Sequence, residues 1–282
     1  WRRVSDSDAV PTDSLALTRP WKGQPWVGNP RGVWQIPNRT WVCDSSDPST
    51  LTWDQNRRQI DDWLPYNMLM PMVRQEPIAD IRVSATITPK TNSLTAGFTL
   101  EALSLRFSWI VDEASAMMTL SSKSGEILQQ VEVALAGFQE GIPLRVEFWH
   151  VDQMMKTYIN GDKVAELLYD FGPEERLRLA TGSNADVPIE DIAGRGQRAA
   201  KLFWQFDGSP LTITKLQVDH DLYYRSSRLP SRATKNPTTA GNEDLVAVGS
   251  PAFGTHPDKL AVLGEDQFMM AGDNSAYSLD GR

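Results

Sequence analysis

The feature that most limits what this chain can fold into is a period-two alternation of apolar and polar residues that begins near residue 78. The alternation is present at 81–87, 103–111, 131–135 and 144–148, and further strands are predicted at 199–206 and 211–218. Apolar side chains at every second position are typical of strands that bury one face. Many short strands separated by turn signals predict a mainly β fold, an antiparallel jelly-roll-like β-sandwich over residues 78–224.

Local signals agree with this fold class. Asn160-Gly161 lies between two strand-like segments and predicts a hairpin, because Asn-Gly supplies the two positive φ values of a type I′ turn. Only residues 173–179 offer a helical turn. The sandwich is therefore expected to contain very little helix.

Residues 1–77 have a different character. They hold seven of the ten tryptophans, prolines interrupt them at positions 11, 20, 25, 30 and 37 among others, and neither the helical nor the strand period persists in them. We predict an irregular leader that packs its indoles on the sandwich, since aromatic side chains bury a large area at low entropic cost. A carbohydrate-binding stripe of exposed tryptophans is the alternative interpretation. The tryptophans concerned are Trp1, Trp21, Trp26, Trp34, Trp41, Trp53 and Trp63.

Composition excludes some classes of function. The net charge is −8 and no basic stripe is present, so no nucleic-acid partner is expected. The single cysteine, Cys43, permits no disulfide within the chain and is interpreted as a buried thiol. The sequence contains no run of about 18 apolar residues, so no segment of it is expected to span a membrane. His220, between Asp219 and Asp221, could bind a metal, but we interpret it as a strand-end histidine with hydrogen-bonded neighbours, and neither a metal nor another cofactor is predicted.

The segment 78–224 resembles the concanavalin-like or laminin-G-like jelly rolls. The residues that carry this resemblance are 144–148 and 156–164, where a strand after a Gly-Ile-Pro turn leads to a Tyr-Ile-Asn-Gly hairpin. The resemblance implies a fold and assigns no ligand.

The last residues carry a more specific motif. After a polar, proline-containing linker predicted at 225–258, short strands are predicted at 259–262 and 267–270, followed by a polar segment that closes the sequence. This end, from Phe268 to Arg282, resembles the final conserved box of type I signal peptidases. The matching positions are Gly272, Asp273, Asn274, Ser278, Asp280 and Arg282. Three positions depart from the box, with Ala271 as an extra residue, Ser275 in place of Arg and Gly281 in place of Ser.

The resemblance to signal peptidases implies a Ser/Lys dyad in which a neutral lysine is the general base. Ser278 would then orient that lysine, while Asp280 and Arg282 would form a supporting pair and Gly272, Asp273 and Asn274 would shape the turn. The nucleophile and the base are not found in this sequence. Ser7 lies in a segment only loosely similar to the nucleophile box. We therefore expect a fragment of a longer enzyme, inactive by itself.

The resemblance also implies a setting for the whole protein. Some planctomycete-like signal peptidases carry a large insertion between the lysine box and the final box, and residues near 65–67 and 219–225 match its expected borders. The parent would be anchored in the inner membrane by a segment outside this chain. Its sandwich would lie on the periplasmic side, and its substrates would be the signal peptides of exported preproteins.

Two other functions remain open from the sequence. The chain could be a secreted jelly-roll module that binds carbohydrate or protein, with a chance match at its end. It could also belong to a pseudoenzyme that retains the final box without the dyad. Neither composition nor periodicity decides among these three.

Overall fold

The alternating segments form long strands in a computed structural model, which describes residues 1–7, 23–61, 77–183, 185–192 and 199–221. Along β6, formed by Ile81–Pro89, Ile81, Val83, Ala85 and Ile87 are buried while the residues between them point outward. Strands account for 54% and helices for 8% of the described residues. The prediction of a mainly β fold with very little helix is confirmed.

The remaining strands follow in chain order. They are β1 (Arg2–Asp6), β2 (Trp26–Asn29), β3 (Trp34–Gln35), β4 (Trp41–Cys43), β5 (Ser49–Trp53), β7 (Thr95–Ala102), β8 (Leu105–Val111), β9 (Ser115–Ser122), β10 (Ile127–Ala134), β11 (Leu144–Val151), β12 (Met154–Ile159), β13 (Asp162–Leu168), β14 (Lys201–Asp207) and β15 (Leu211–His220). Two helices, α1 (Pro173–Thr181) and α2 (Ile189–Ile192), lie between β13 and β14.

These strands build two antiparallel sheets. The first has eight strands in the order β13-β12-β11-β6-β15-β4-β3, with β1 also paired to β15 beyond the end of β4. The second has seven strands in the order β10-β9-β8-β7-β14-β5-β2. Both sheets bury one face against a common core, so the predicted antiparallel sandwich is confirmed.

The centre of the core is aromatic. Phe98, Trp109, Phe148 and Trp204 meet with ring centroids 5.3 to 6.2 Å apart, and all four are at most 1% exposed. Phe98 and Trp109 come from one sheet and Phe148 from the other. Contacts between offset or tilted rings add to the free energy of apolar burial, so this cluster holds the two layers together.

The predicted turn and helix are both present. Asn160 and Gly161 join β12 to β13 with φ values of 51° and 96°, as a type I′ turn requires. Pro173 occupies the first turn of α1, where its missing N–H leaves no bond unmade. The helix ends at Gly182, whose left-handed backbone lets its N–H bond to the carbonyls of Arg178 and Leu179.

The expectation of an irregular leader over residues 1–77 is wrong for the described part of that segment. Strands β1 to β5 fall within it, and they add to both sheets rather than packing on a finished sandwich. Each is only two to five residues long, too short for alternation to be recognised. Trp21, Trp63 and the expected insertion border at 65–67 lie outside the described residues.

By its contacts the chain divides into one compact unit, Trp1–Asp62 with Arg74–Asp221, and a second, Trp63–Val73 with Leu222–Arg282. The second unit lies outside the described residues. The predicted linker at 225–258, the strands at 259–262 and 267–270 and the whole signal-peptidase motif fall there. No helix among the described residues is both long and apolar enough to cross a bilayer.

Candidate binding surface

Two rows of polar and aromatic side chains cross the outer surface of the eight-stranded sheet. They arise because outward positions of neighbouring strands are in register. One row follows the pairs Lys156–Trp149, Trp149–Arg82, Arg82–Asp219 and Asp219–Arg3, from β12 to β1. The second follows Tyr158–Glu147, Glu147–Ser84, Ser84–Gln217 and Gln217–Asp6 along the same strands. Four strand spacings separate the ends, or about 19 Å.

Aromatic rings form the centre of this surface. The ring of Trp149 lies 4.7 Å from that of Tyr158 and 5.2 Å from that of Trp1, measured between centroids. The guanidinium carbon of Arg82 is 5.3 Å from the Trp1 ring and 5.6 Å from the Trp149 ring. All four side chains are half-buried, so each keeps part of its surface in solvent. Together with Glu147, they define what we call the Trp149 face.

Charged pairs hold the Trp149 face in one conformation. The Asp219 carboxylate accepts hydrogen bonds from Arg82 Nε and Nη2, at 3.0 and 2.9 Å, and from Arg3 Nε. Its side chain is only 3% exposed, whereas those of Arg82 and Arg3 are 24% and 39% exposed. Arg3 also pairs with Asp6, which accepts a hydrogen bond from Gln217. Since Arg82 donates two charge-assisted hydrogen bonds to the same oxygen, Asp219 Oδ2, its guanidinium is held beside the indoles.

A similar arrangement fixes the other side of Trp149. The indole Nε1 donates to Glu147 Oε2 at 3.3 Å, and Arg145 Nε donates to Glu147 Oε1 at 2.9 Å. The Glu147 side chain is 12% exposed. The orientation of the Trp149 ring is therefore set by a hydrogen bond as well as by its aromatic neighbours.

This arrangement suits an extended polar ligand better than a compact one. The surface is a sheet face rather than an enclosed cavity, and it alternates flat apolar rings with side chains that offer hydrogen-bond donors and acceptors. Aromatic rings stack on the apolar faces of flat molecules, while fixed polar groups determine orientation. Sugars combine C–H faces with hydroxyl edges in this way.

The buried histidine His150 has hydrogen-bond partners at both of its ring nitrogens. His150 is 1% exposed, with Nδ1 2.8 Å from the Ala79 carbonyl and Nε2 2.6 Å from the Tyr169 hydroxyl. Burial lowers the pKa of His150 to about 4, and the Ala79 bond opposes that shift. The ring is therefore neutral, so Nδ1–H donates to Ala79 and Nε2 accepts from Tyr169.

An acidic group lies next to this histidine. Burial, reinforced by the carboxylates of Asp152 and Asp221, raises the pKa of Asp80 to about 7. Asp80 Oδ1 is 3.6 Å from His150 Nδ1. Burial also raises the pKa of Tyr169, and the nearby Asp80 carboxylate adds to that effect.

The structure also places the minor candidates from the sequence. Cys43 is fully buried, as predicted, and its sulfur lies 3.5 Å from the Ser49 hydroxyl. His220 ends β15 with Nδ1 2.5 Å from the Asp221 carbonyl, in agreement with its interpretation as a strand-end histidine. Within the described ranges, no group of three or more His, Cys, Asp or Glu residues could hold a metal ion.

Three of the leader tryptophans are core residues, and one lies at the surface of the eight-stranded sheet. Trp26, Trp41 and Trp53 are at most 4% exposed and belong to the core, as the packing interpretation predicts. Trp1 instead joins the Trp149 face with an aromatic residue from β11. Sequence reasoning missed Arg82 and Trp149 because they meet only through strand register, and the sole signal was their outward position in alternating segments. The signal-peptidase positions 272–274, 278, 280 and 282 lie outside the described residues.

Comparisons with known proteins assign no family to this chain. No family model matches the sequence, and no curated protein matches it. Solved structures of low similarity do match. A carbohydrate-binding module, CBM66, from Bacillus subtilis has a TM-score of 0.37 and 8% identity, over 69% of this chain and 95% of that one. The galectin LEC-6 of Caenorhabditis elegans has a TM-score of 0.33 and 12% identity, over 57% and 91%. An endo-β-1,3-glucanase from Pyrococcus furiosus has a TM-score of 0.37 and 12% identity, over 67% and 77%.

Proposed function

We propose that the sandwich of this chain is a recognition module that binds an extended neutral carbohydrate across the Trp149 face. One observation carries the proposal. Half-exposed Trp149 and Tyr158 lie in adjacent strands beside Glu147 and Arg82, whose orientations are fixed by Arg145 and Asp219. A rigid aromatic and polar surface binds with little loss of side-chain entropy, which favours association with a flexible polymer.

Affinity electrophoresis in gels that contain a soluble β-glucan, a xylan or a mannan tests this proposal. We expect at least one polysaccharide to retard the chain. Trp149→Ala and Tyr158→Ala should each weaken that retention about tenfold, because each removes a stacking surface worth about 1.4 kcal/mol.

Phe203→Ala is the matched control. Phe203 is a half-buried aromatic residue at an outward position of β14, in the other sheet, so its loss should leave retention unchanged. Thermal melts of all three variants establish that they fold. The absence of retardation in every gel, or retention that survives Trp149→Ala and Tyr158→Ala, would contradict the proposal.

A second candidate function rests on the final sequence motif. Gly272, Asp273, Asn274, Ser278, Asp280 and Arg282 match the spacing of the last signal-peptidase box. On this proposal, the parent protein is a membrane-bound signal peptidase that cleaves exported preproteins with a dyad outside this chain. The sandwich would then be its insertion.

Preprotein cleavage by the complete parent protein tests the second candidate. Ser278→Ala should lower turnover by up to about a hundredfold without lowering the melting temperature, since the lysine base would lose its alignment. Asp280→Ala should lower both the turnover and the melting temperature, because on this proposal it leaves the positive charge of Arg282 without its partner. Ser275→Ala, at a position that departs from the family pattern, is the control. Full turnover in an active Ser278→Ala parent would exclude the role assigned to Ser278.

A further inference from the structure

A shallow depression at one end of the seven-stranded sheet is distinct from the Trp149 face. It is formed by the β7–β8 turn, the β9–β10 turn and the start of β14, and with its open mouth it has a volume of about 530 Å³. We infer that this depression binds an organic oxyanion, a carboxylate or sulfate group carried on a ring with one apolar face. The inference concerns a second site and does not depend on the proposed function.

Positive charge dominates the rim of the depression. Arg106, Lys123 and Lys201 line it, and Glu101 is the single acidic residue among them. Register explains why three of these groups meet, since Lys201 pairs with Glu101 and Glu101 with Arg106 across β14, β7 and β8. A chain with a net charge of −8 thus carries a local excess of positive charge at this point.

The single carboxylate only partly neutralises this charge. Arg106 Nη2 and Nε donate to Glu101 Oε1 at 2.8 and 3.3 Å, which leaves Nη1 available to a ligand. Lys201 Nζ is 3.9 Å from Glu101 Oε2, too far for a hydrogen bond. Lys123 lies in the β9–β10 turn and is exposed. Two ammonium groups and one guanidinium arm can therefore donate to an oxyanion at this site.

The apolar part of the site, which we call its floor, is lined by Ala102, Leu103, Leu105 and Ala199. Leu103 and Ser104 form the β7–β8 turn with φ values of 51° and 56°, and Ser104 Oγ donates to the Leu179 carbonyl at 2.8 Å. This bond holds the turn against α1, so the floor is fixed before a ligand arrives. Fixed apolar surface beneath a few charged groups is the usual composition of small-ligand sites. A free inorganic anion would leave the floor uncovered, whereas a ring that bears the anionic group would cover it.

NMR titration of the labelled chain at low salt tests the inference with three probes. These are methyl glucuronide, a methyl glucoside 6-sulfate and the neutral methyl glucoside. We expect one or both anions to shift the amide resonances of residues 101–106, 123 and 201, and the neutral glucoside to leave them unchanged. The anion that binds more tightly identifies the preferred group. Binding should weaken as ionic strength rises, because exposed charges are screened within about 10 Å at 0.1 M salt.

Variants that should weaken anion binding can be compared with one that should strengthen it. Replacement of both Lys123 and Lys201 by Gln should weaken anion binding at least about fivefold. Glu101→Gln should strengthen it, because the Arg106 guanidinium is released from its carboxylate. Lys90→Gln, at an exposed lysine paired with Asp44, is the matched control and should have no effect. Equal shifts with the neutral glucoside, no shifts with either anion, or weaker binding in Glu101→Gln would overturn the inference.

Discussion

At the residue scale, His150 and Asp80 make the pH dependence of stability a balance of two opposed effects. Neutral His150 favours the folded state above its unfolded pKa of 6.5, and this contribution is lost as pH falls towards its folded pKa of about 4. Asp80 acts in the reverse direction. Its folded pKa of about 7 exceeds the unfolded value of 3.8, so the stability it contributes is present in acid and is lost as pH rises towards 7.

Asp80→Asn should separate the two effects. In the wild-type chain the His150 and Asp80 contributions to stability partly cancel between pH 4 and 6.5. The Asp80 contribution is reduced by solvent, because its side chain is 41% exposed. In the variant only the histidine contribution remains. The free energy of unfolding should then fall more steeply with acid than in the wild type, by about 1 kcal/mol across the window, since solvent reduces the Asp80 contribution that the variant removes.

Urea unfolding at half-unit pH steps measures this difference. Asp47→Asn, at an exposed aspartate, is the control and should follow the wild-type curve. If the Asp80→Asn and wild-type curves run parallel from pH 4 to 6.5, the opposed titration of these two residues is wrong.

At the element scale, the sequence predicted the long strands well and the short ones poorly. Alternation identified β6, β8, β11 and β15 because each has seven or more residues and buries every second side chain along most of its length. Strands β7 and β9 were both missed. In β7 six of the eight residues are buried, which removes the alternation, whereas β9 does alternate and its pattern was overlooked. The Trp149 face could not be predicted, since its row depends on which residues of distant strands become partners.

The strand pairing around β15 leads to a prediction about Asp219. This carboxylate joins β15 to β6 through Arg82 and to β1 through Arg3. Asp219→Ala removes charged hydrogen bonds from a nearly buried site, so the free energy of unfolding should fall by about 1.5–3 kcal/mol. Asp44→Ala removes an ion pair with both side chains more than half exposed and should lower it by less than about 1 kcal/mol. Chemical denaturation compares them, and equal effects would refute the structural role of Asp219.

At the scale of the whole molecule, the sandwich requires residues that the sequence assigned to a leader. Strands β4 and β5 cover β15 and β14, and their residues Trp41, Cys43, Leu51 and Trp53 are core residues. Without them both sheets would end at exposed apolar edges, which favours aggregation.

Truncation tests this dependence directly. A chain of residues 78–224 should show neither a cooperative thermal transition nor a near-ultraviolet circular dichroism signal from its packed tryptophans. A chain of residues 1–224 should show both, and it serves as the control for the loss of residues 225–282. A cooperative melt of the shorter chain would mean that the sandwich is complete without β1 to β5.

The pairing of β1 with β15 also has a consequence for the time course of biosynthesis. Arg2 is the partner of His220, so the first strand of the described sandwich joins its last strand. Pairing between ends so distant in sequence is slow, and synthesis proceeds from the amino terminus at about 5–20 residues per second. On a translating ribosome, β1 must therefore wait many seconds for its partner. During that interval, the charged side chains of Arg3 and Asp6, which keep part of their surface in solvent even in the folded sandwich, keep the nascent strand hydrated.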